Sequence, residues 1–177
     1  MRYPEFENKR KKRLSLLVII NRAAVVFAGI LTGFLAARFF IVPVNMPDMS
    51  MYPGITKNET ILFLKTGSFD RGDIVLIGNP AGKRGVLIKR VAALEGDTVE
   101  VREGRLIING RGSELISGGT DSRDLPAYFT RRDNMPVMKV MRDELFVVND
   151  NPDEAYDSRW FGKITADSVA GVKVYKW

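Results

Sequence analysis

The sequence of 177 residues contains neither histidine nor cysteine. Without histidine the chain cannot build a Ser-His-Asp triad, and without cysteine it has no thiol nucleophile and no disulfide framework. The same two absences exclude a zinc site made of Cys and His ligands. We therefore expect neither a metal nor a cofactor. A hydrolase made from this chain would need Lys, Asp or Glu as its general base.

The formal net charge of +6 comes from one end of the chain. Positions 1–38 hold eight of the 27 basic residues but only two of the 21 acidic residues, so positions 39–177 are electrically balanced. The excess positive charge therefore surrounds a single apolar segment instead of covering a surface. This distribution indicates membrane topology and argues against a nucleic-acid partner.

An apolar stretch follows the five consecutive basic residues at positions 9–13 and continues to Val44. Its cleanest part runs from Ala23 to Ala37, and with Phe39 to Val44 included it covers about 22 residues, close to the roughly 20 that a spanning helix needs. A removable signal peptide would have a shorter apolar region and a small-residue cleavage site, which positions 39–41 do not offer. Because basic flanks stay in the cytoplasm, we predict a cytoplasmic tail at 1–13, a transmembrane anchor in lipid at 14–44, and an extracytoplasmic domain at 45–177.

Short runs rich in β-branched residues follow the anchor and are typical of strands. The dipeptides Glu103-Gly104 and Asn109-Gly110 are turn signals that indicate a hairpin. The polar stretch 111–136 has no steady period and is predicted to be an insertion loop. We therefore predict a mostly β fold, an antiparallel β domain with one N-terminal transmembrane helix. Strands are expected at 59–65, 72–77, 85–94, 98–102, 105–109, 144–149 and 168–175.

Ser50 is the first residue that could carry chemistry. It lies between Pro47 and Pro53, in a segment with several methionines. Taken alone, such a serine is more often part of a turn than a nucleophile. A serine becomes a nucleophile only with a partner base, so this segment is a candidate only if the chain supplies one.

Lys89 is the candidate base. In a strand it shares one face with Leu87, Val91 and Ala93, so its ammonium group projects from an apolar row. Burial there would lower the pKa of the lysine and make it a usable base near neutral pH. The alternative is an exposed edge strand, where lysine commonly guards against edge pairing, and Lys89 taken alone favours that alternative.

A third polar cluster occupies positions 149–162. Asp157 and Arg159 can pair within it and hold the loops near the base. The alternative is a long solvated turn rich in Asp and Asn, which the composition allows equally well.

Together these segments resemble the bacterial type I signal peptidases, in particular the smaller members of that Ser-Lys peptidase family. The resemblance covers nearly the whole chain and is far more specific than any single segment. The matching segments are S-M-x-P at 50–53, R-G-D-I-V at 71–75, K-R-V at 89–91, E-G-D-T-V at 95–99, and the positions Asp150, Asn151, Asp157, Ser158, Arg159 and Gly162 of the last family motif.

The resemblance implies a serine endopeptidase with a catalytic dyad. Neutral Lys89 would take the proton of Ser50, which attacks the carbonyl carbon and forms an acyl-enzyme that water hydrolyses. Asp157, Ser158 and Arg159 would support the dyad.

The same resemblance implies where the protein acts and on what. The substrates would be secretory preproteins, bound as an extended strand at the outer face of the bacterial cytoplasmic membrane. Met46, Met49 and Met51 would line the substrate groove or enter lipid.

The sequence departs from the family at four positions. Asp48 occupies a position where the family has an oxyanion-hole serine or a glycine, and a carboxylate there would oppose a developing oxyanion. Ala155 replaces the family serine that hydrogen-bonds the lysine. Asn149 replaces a glycine and Pro152 an arginine.

Two further hypotheses remain open beside an active signal peptidase. One is a catalytically weak or inactive membrane-anchored module that binds secretory chains, which Asp48 and Ala155 favour. The other is a Ser-Lys protease like the self-cleaving repressors, against which the predicted anchor argues.

Overall fold

The computed structural model describes residues 4–78, 85–115, 134–151, 154 and 156–177, with side chains from residue 16 onward. The chain divides into two compact units, and the division falls between Phe40 and Ile41. The first unit is a helix and the second a β domain. A mostly antiparallel β fold with one apolar N-terminal helix was predicted from the sequence, and this prediction is confirmed.

Helix α1 runs from Pro4 to Phe40. Its segment Leu16–Phe40 contains 25 residues, and by length and composition it is sufficient to cross a membrane. The helix ends four residues before the predicted end of the anchor, because 41–44 belong to a strand. Three of these four residues are β-branched. The remaining one is Pro43, which cannot donate an intrahelical hydrogen bond.

The larger sheet has seven strands, all of them paired antiparallel to their neighbours. Its order is β1-β2-β11-β3-β4-β9-β10. In chain order these strands are β1 (Ile41–Asn45), β2 (Thr60–Leu64), β3 (Ile74–Gly78), β4 (Val86–Ala93), β9 (Glu144–Val148), β10 (Ile164–Thr165) and β11 (Val169–Lys176).

The smaller sheet has the order β7-β6-β5-β8. Its strands are β5 (Thr98–Arg102), β6 (Arg105–Ile108), β7 (Arg111–Gly112) and β8 (Met135–Lys139). The hairpin of β5 and β6 turns at Glu103-Gly104, where both residues adopt positive φ, as the sequence predicted.

All seven predicted strands occur, with ends displaced by at most two residues. Four strands were not predicted. Strand β1 was assigned to the anchor because it is apolar, and β10 is too short to show a period. Strands β7 and β8 lie at the two ends of the stretch predicted to be an insertion loop, so that prediction was wrong at its ends. Its middle part, 116–133, lies outside the described residues.

The larger sheet has apolar clusters on both faces. One face packs against the segment that carries Ser50, since Met46 and Met51 are buried together with Phe63 and Ile88. The expectation that these methionines line a groove or enter lipid is therefore wrong for Met46 and Met51, whereas Met49 is partly exposed. The second cluster contains Val75, Ile77, Val91, Leu145, Val147 and Ile164.

Candidate active site

The Ser50 segment is a tight turn that its neighbours hold in place. Met51 is fully buried beside Ser50, and its carbonyl accepts from the N–H of Ile55 at 2.8 Å. The carbonyl of Ser50 itself accepts from the N–H of Asn151 at 2.9 Å. Burial of the methionine and these backbone hydrogen bonds leave Ser50 only 3% exposed.

Lys89 lies in the interior of the larger sheet. Strand β4 has β3 on one side and β9 on the other, and Lys89 is paired with Val75 of β3. The side chain is 2% exposed. The edge-strand alternative for Lys89 is therefore wrong, because both edges of its strand are hydrogen-bonded.

The structure brings the predicted nucleophile and base together. The Nζ atom of Lys89 lies 3.4 Å from the Oγ atom of Ser50. This distance is long for a hydrogen bond, as is common in catalytic pairs before substrate binds. A serine hydroxyl next to a buried amine is an arrangement that can produce an activated nucleophile.

Burial is the main influence on the Lys89 ammonium group and lowers its pKa from the ordinary value, because the charged form loses its water. The carboxylates of Asp48, Asp157 and Glu154 oppose this shift, and Arg159 adds to it. The resulting direction is toward a neutral lysine, which is the form that can accept a proton.

Asp48 is placed against the backbone of the nucleophile. Its Oδ1 atom accepts a hydrogen bond from the N–H of Ser50 at 3.0 Å. Backbone N–H groups of this kind stabilise the oxyanion in acyl transfer. In this structure the Ser50 N–H is therefore occupied by a carboxylate, which can accept hydrogen bonds but cannot donate one to an oxyanion.

The three predicted support residues form a buried network beside β9. Asp157 and Arg159 make an ion pair of 2.7 Å, with both side chains at most 2% exposed. Asp157 also caps helix α2 (Ser158–Phe161) by accepting from the N–H of Arg159. The Oγ atom of Ser158 accepts from the N–H of Val147 in β9. These contacts fix the end of the strand next to that of Lys89.

A second ion pair, which the sequence analysis did not single out, joins β4 to the nucleophile turn. Arg90 donates through Nε and Nη2 to the two carboxylate oxygens of Asp150, at 2.6 and 2.5 Å. The next residue, Asn151, donates from its Nδ2 atom to the carbonyl of Met49 at 3.1 Å. The sequence contained a signal for this pair, because Arg90 is adjacent to Lys89 and Asp150 lies in the last segment that matches the family.

Two of the four departures from the family lie outside the described residues, at positions 152 and 155. Asn149 is described and is fully buried. Within the described ranges no group of three Asp or Glu side chains is arranged to hold a metal ion.

Comparisons with known proteins agree on one family. The family model for signal peptidase, peptidase S26, matches residues 18–177. The chain is 32% identical over 176 residues to signal peptidase I P of Bacillus subtilis subsp. natto, covering 95% of this chain and 92% of that protein. It is 27% identical over 180 residues to signal peptidase IB of Staphylococcus aureus, covering 92% and 87%.

A crystal structure of a signal peptidase I from Enterococcus faecalis is 28% identical, with a TM-score of 0.44, and covers 59% of this chain and 96% of that one. The family model and the sequence identity to the Bacillus protein carry the assignment. The chain belongs to the type I signal peptidases of peptidase family S26, which are serine endopeptidases.

Proposed function

We propose that this protein removes signal peptides from secreted preproteins, with Ser50 as nucleophile and Lys89 as general base. The observation that carries the proposal is the 3.4 Å approach of Lys89 Nζ to Ser50 Oγ between two almost fully buried side chains. The Bacillus relative bears the name of this activity and matches nearly the whole chain.

The acylation step begins with neutral Lys89, which takes the hydroxyl proton of Ser50 as Oγ attacks the scissile carbonyl carbon. The carbonyl oxygen becomes an oxyanion. When the tetrahedral intermediate collapses, the C–N bond breaks, and the Lys89 ammonium group donates its proton to the leaving amine. The signal peptide remains as an ester on Ser50, the rest of the preprotein leaves with a new amino terminus, and Lys89 is neutral again.

The deacylation step uses the same base. Lys89 takes a proton from a water molecule, whose oxygen attacks the ester carbonyl carbon. Collapse of the second intermediate breaks the bond to Oγ, and the ammonium group returns the proton to Ser50. The signal peptide leaves with a new carboxylate, and the enzyme regains its starting state.

The oxyanion needs the N–H of Ser50, which donates to Asp48 in the structure. The mechanism therefore requires the Asp48 carboxylate to turn away when the substrate carbonyl arrives. Loss of an oxyanion donor typically slows acyl transfer about 100- to 1000-fold. We expect the protein to be slower than relatives that have no acceptor at this place.

The helix Leu16–Phe40 supports the location in the proposal. An apolar span with basic residues before it predicts a cytoplasmic N-terminus and a β domain on the outer side of the bacterial cytoplasmic membrane. Preproteins cross that membrane, so their cleavage sites would emerge on the side of Ser50. The preprotein would bind in an extended conformation, with small side chains near the cleaved bond.

Processing of a preprotein by the full chain in detergent tests the proposal. We expect cleavage after a site with small residues one and three positions before the scissile bond. Ser50→Ala and Lys89→Ala should abolish it, whereas Ser68→Ala and Lys57→Ala, which change exposed residues of the same types, should not. Absence of cleavage by the parent protein over hours, with folding intact, would refute the proposal.

A second function, binding of secretory chains without cleavage, is favoured by one observation. The Asp48 carboxylate occupies the donor that an active site needs free. In that case the parent protein would crosslink to an uncleaved preprotein, and Asp48→Gly would restore cleavage.

A further inference from the structure

Asn149 is a buried polar residue to which the dyad mechanism assigns no role. Its Nδ2 atom donates to the carbonyl of Glu154 at 2.7 Å, and its backbone N–H donates to Asp157 at 2.9 Å. Its Oδ1 atom is buried and accepts no hydrogen bond from the described residues. An unpaired buried amide oxygen is costly, so it points to a donor that reaches it at another stage.

The sheet register places Asn149 beside Lys89. Val91 of β4 lies opposite Val147 of β9, and Arg90 lies opposite Val148, the last residue of β9. Extending this register by one pair places Asn149 opposite Lys89. The N–H of Val91 points toward β3, where it donates to Asp73. Residue 89 has the same orientation, so the 89–149 pair is not backbone-bonded. In such pairs the Cα atoms lie about 4.5 Å apart and the side chains share a face.

Lys89 has donors to spare at the stage when it becomes charged. Its ammonium group has three N–H donors. Among the described residues, Nζ donates to Ser50 Oγ at 3.4 Å. In the tetrahedral intermediate, before the proton passes to the leaving amine, Oγ is bonded to the former carbonyl carbon and is a poor acceptor. The protonated lysine then needs a different acceptor within reach.

We infer that the Oδ1 atom of Asn149 accepts a hydrogen bond from the Lys89 ammonium group after Lys89 has taken the proton of Ser50. The inference rests on the proposed dyad and adds a positioning residue to it. The hydrogen bond from Nδ2 to Glu154 holds the amide plane and leaves Oδ1 for the lysine. Asn149 acts through the base and does not touch the substrate.

The direction in which Asn149 shifts the pKa of Lys89 follows from the charge of the acceptor. Asp48, Glu154, Asp157 and Arg159 are the charged groups that act on Lys89. An amide oxygen adds an acceptor without adding a charge and favours the ammonium form, so it raises the pKa of Lys89. Its removal therefore lowers that pKa, and a carboxylate in its place raises it further.

Titration of Lys89 by nuclear magnetic resonance tests the inference. The full chain, labelled with ¹³C at the lysine ε-carbons, is studied in detergent, and Lys89→Met identifies the signal. We expect Asn149→Ala to lower the titration midpoint by about one pH unit, the size expected for one hydrogen bond to a charged group. We expect Asn149→Asp to raise it. Both variants lose the Nδ2 donor to Glu154, so that loss is common to them, and Asn149→Asp keeps an acceptor oxygen and adds a negative charge.

Asn45→Ala is the matched control, because Asn45 is exposed and its amide oxygen accepts from Thr60. It should leave the midpoint unchanged. Equal midpoints in Asn149→Ala and the parent protein would overturn the inference and leave Asn149 with a structural role alone. If Asn149→Ala does not fold, Asn149→Asp tests the inference instead. An unchanged or lower titration midpoint of Lys89 in that variant would also overturn the inference.

Kinetics separate this inference from the proposed function. In an active protein, Asn149→Ala should reduce the maximal rate about tenfold and move the acidic limb of kcat/KM to lower pH, because the charged base loses an acceptor. If the parent protein cleaves no preprotein, the proposed function fails. The titration still tells whether Asn149 reaches Lys89.

Discussion

The base side and the oxyanion side of the candidate site are built in opposite ways. On the base side, Lys89 is carried by an interior strand, shielded from water, and flanked by the buried Asp157–Arg159 pair. On the oxyanion side, Ser50 lies in a turn, and its backbone N–H donates to the carboxylate of Asp48. The comparison teaches that the base can be buried and positioned for proton transfer while the donor that would stabilise the oxyanion is occupied by a carboxylate. Substitutions of the base-side residues should therefore lower activity, whereas replacement of Asp48 on the oxyanion side should raise it.

The largest effect is expected from the dyad itself. Ser50→Ala and Lys89→Met should each lower kcat/KM at least about 1,000-fold, and the double variant should be no worse than either single one, because the two groups act as a unit. Preprotein cleavage by purified variants measures this. If the losses in kcat/KM multiply in the double variant, Ser50 and Lys89 act independently. Lys89 would then not be the base that activates Ser50.

Arg159→Met should be the most damaging change outside the dyad. It leaves the fully buried Asp157 carboxylate without its cation, which typically costs about 3–5 kcal/mol of stability. Denaturant unfolding of the protein in detergent measures the loss. Arg102→Met is the control, since Arg102 forms an exposed pair with Glu100 and should cost at most about 1 kcal/mol. Equal losses in the two variants would show that the network does not support the base side.

Asp48→Ser should raise the rate of cleavage about tenfold or more, because it frees the Ser50 N–H and removes a carboxylate from the developing oxyanion. It should also move the acidic limb of kcat/KM to lower pH, since the Asp48 charge holds the pKa of Lys89 up. Steady-state rates across pH check both effects. An unchanged or lower rate would mean that Asp48 does not block the site, and the contrast between the two sides would disappear.

The pH dependence of stability should reveal the buried base. Since burial lowers the pKa of Lys89 in the folded state, the unfolded chain binds the proton more tightly between the folded pKa and about 10.4. Stability should therefore rise with pH through that window, and the unfavourable contribution should be complete below the folded pKa. Lys89→Met should lose this part of the dependence, as followed by denaturant midpoints.

Much of the fold could be predicted because local patterns report it directly. The β-branched runs and the Glu103-Gly104 turn located the strands of both sheets with small errors at their ends. Four strands were missed: β7, β8 and β10, and also β1 at 41–45, where an apolar strand follows an apolar helix. Hydrophobicity does not distinguish the two, and the helix ends where pairing with β2 becomes available.

The candidate site was predicted only in part. The segments that carry Ser50, Lys89 and Asp157 were identified by their resemblance to a family. The pairing of Arg90 with Asp150 was missed because it joins residues 60 positions apart, and no local pattern reports such a contact. The direction of Asp48 was left open for the same reason.

By itself the sequence determined which chemistry was possible. The lack of His and Cys left Lys, Asp or Glu as the available base, and the charge distribution marked one helix as the candidate anchor. Only the tertiary structure decided that Lys89 lies in an interior strand beside Ser50, and that the Asp48 carboxylate faces the nucleophile backbone. The physical reason is that burial and hydrogen bonding between distant segments depend on strand pairing, which composition and spacing do not specify.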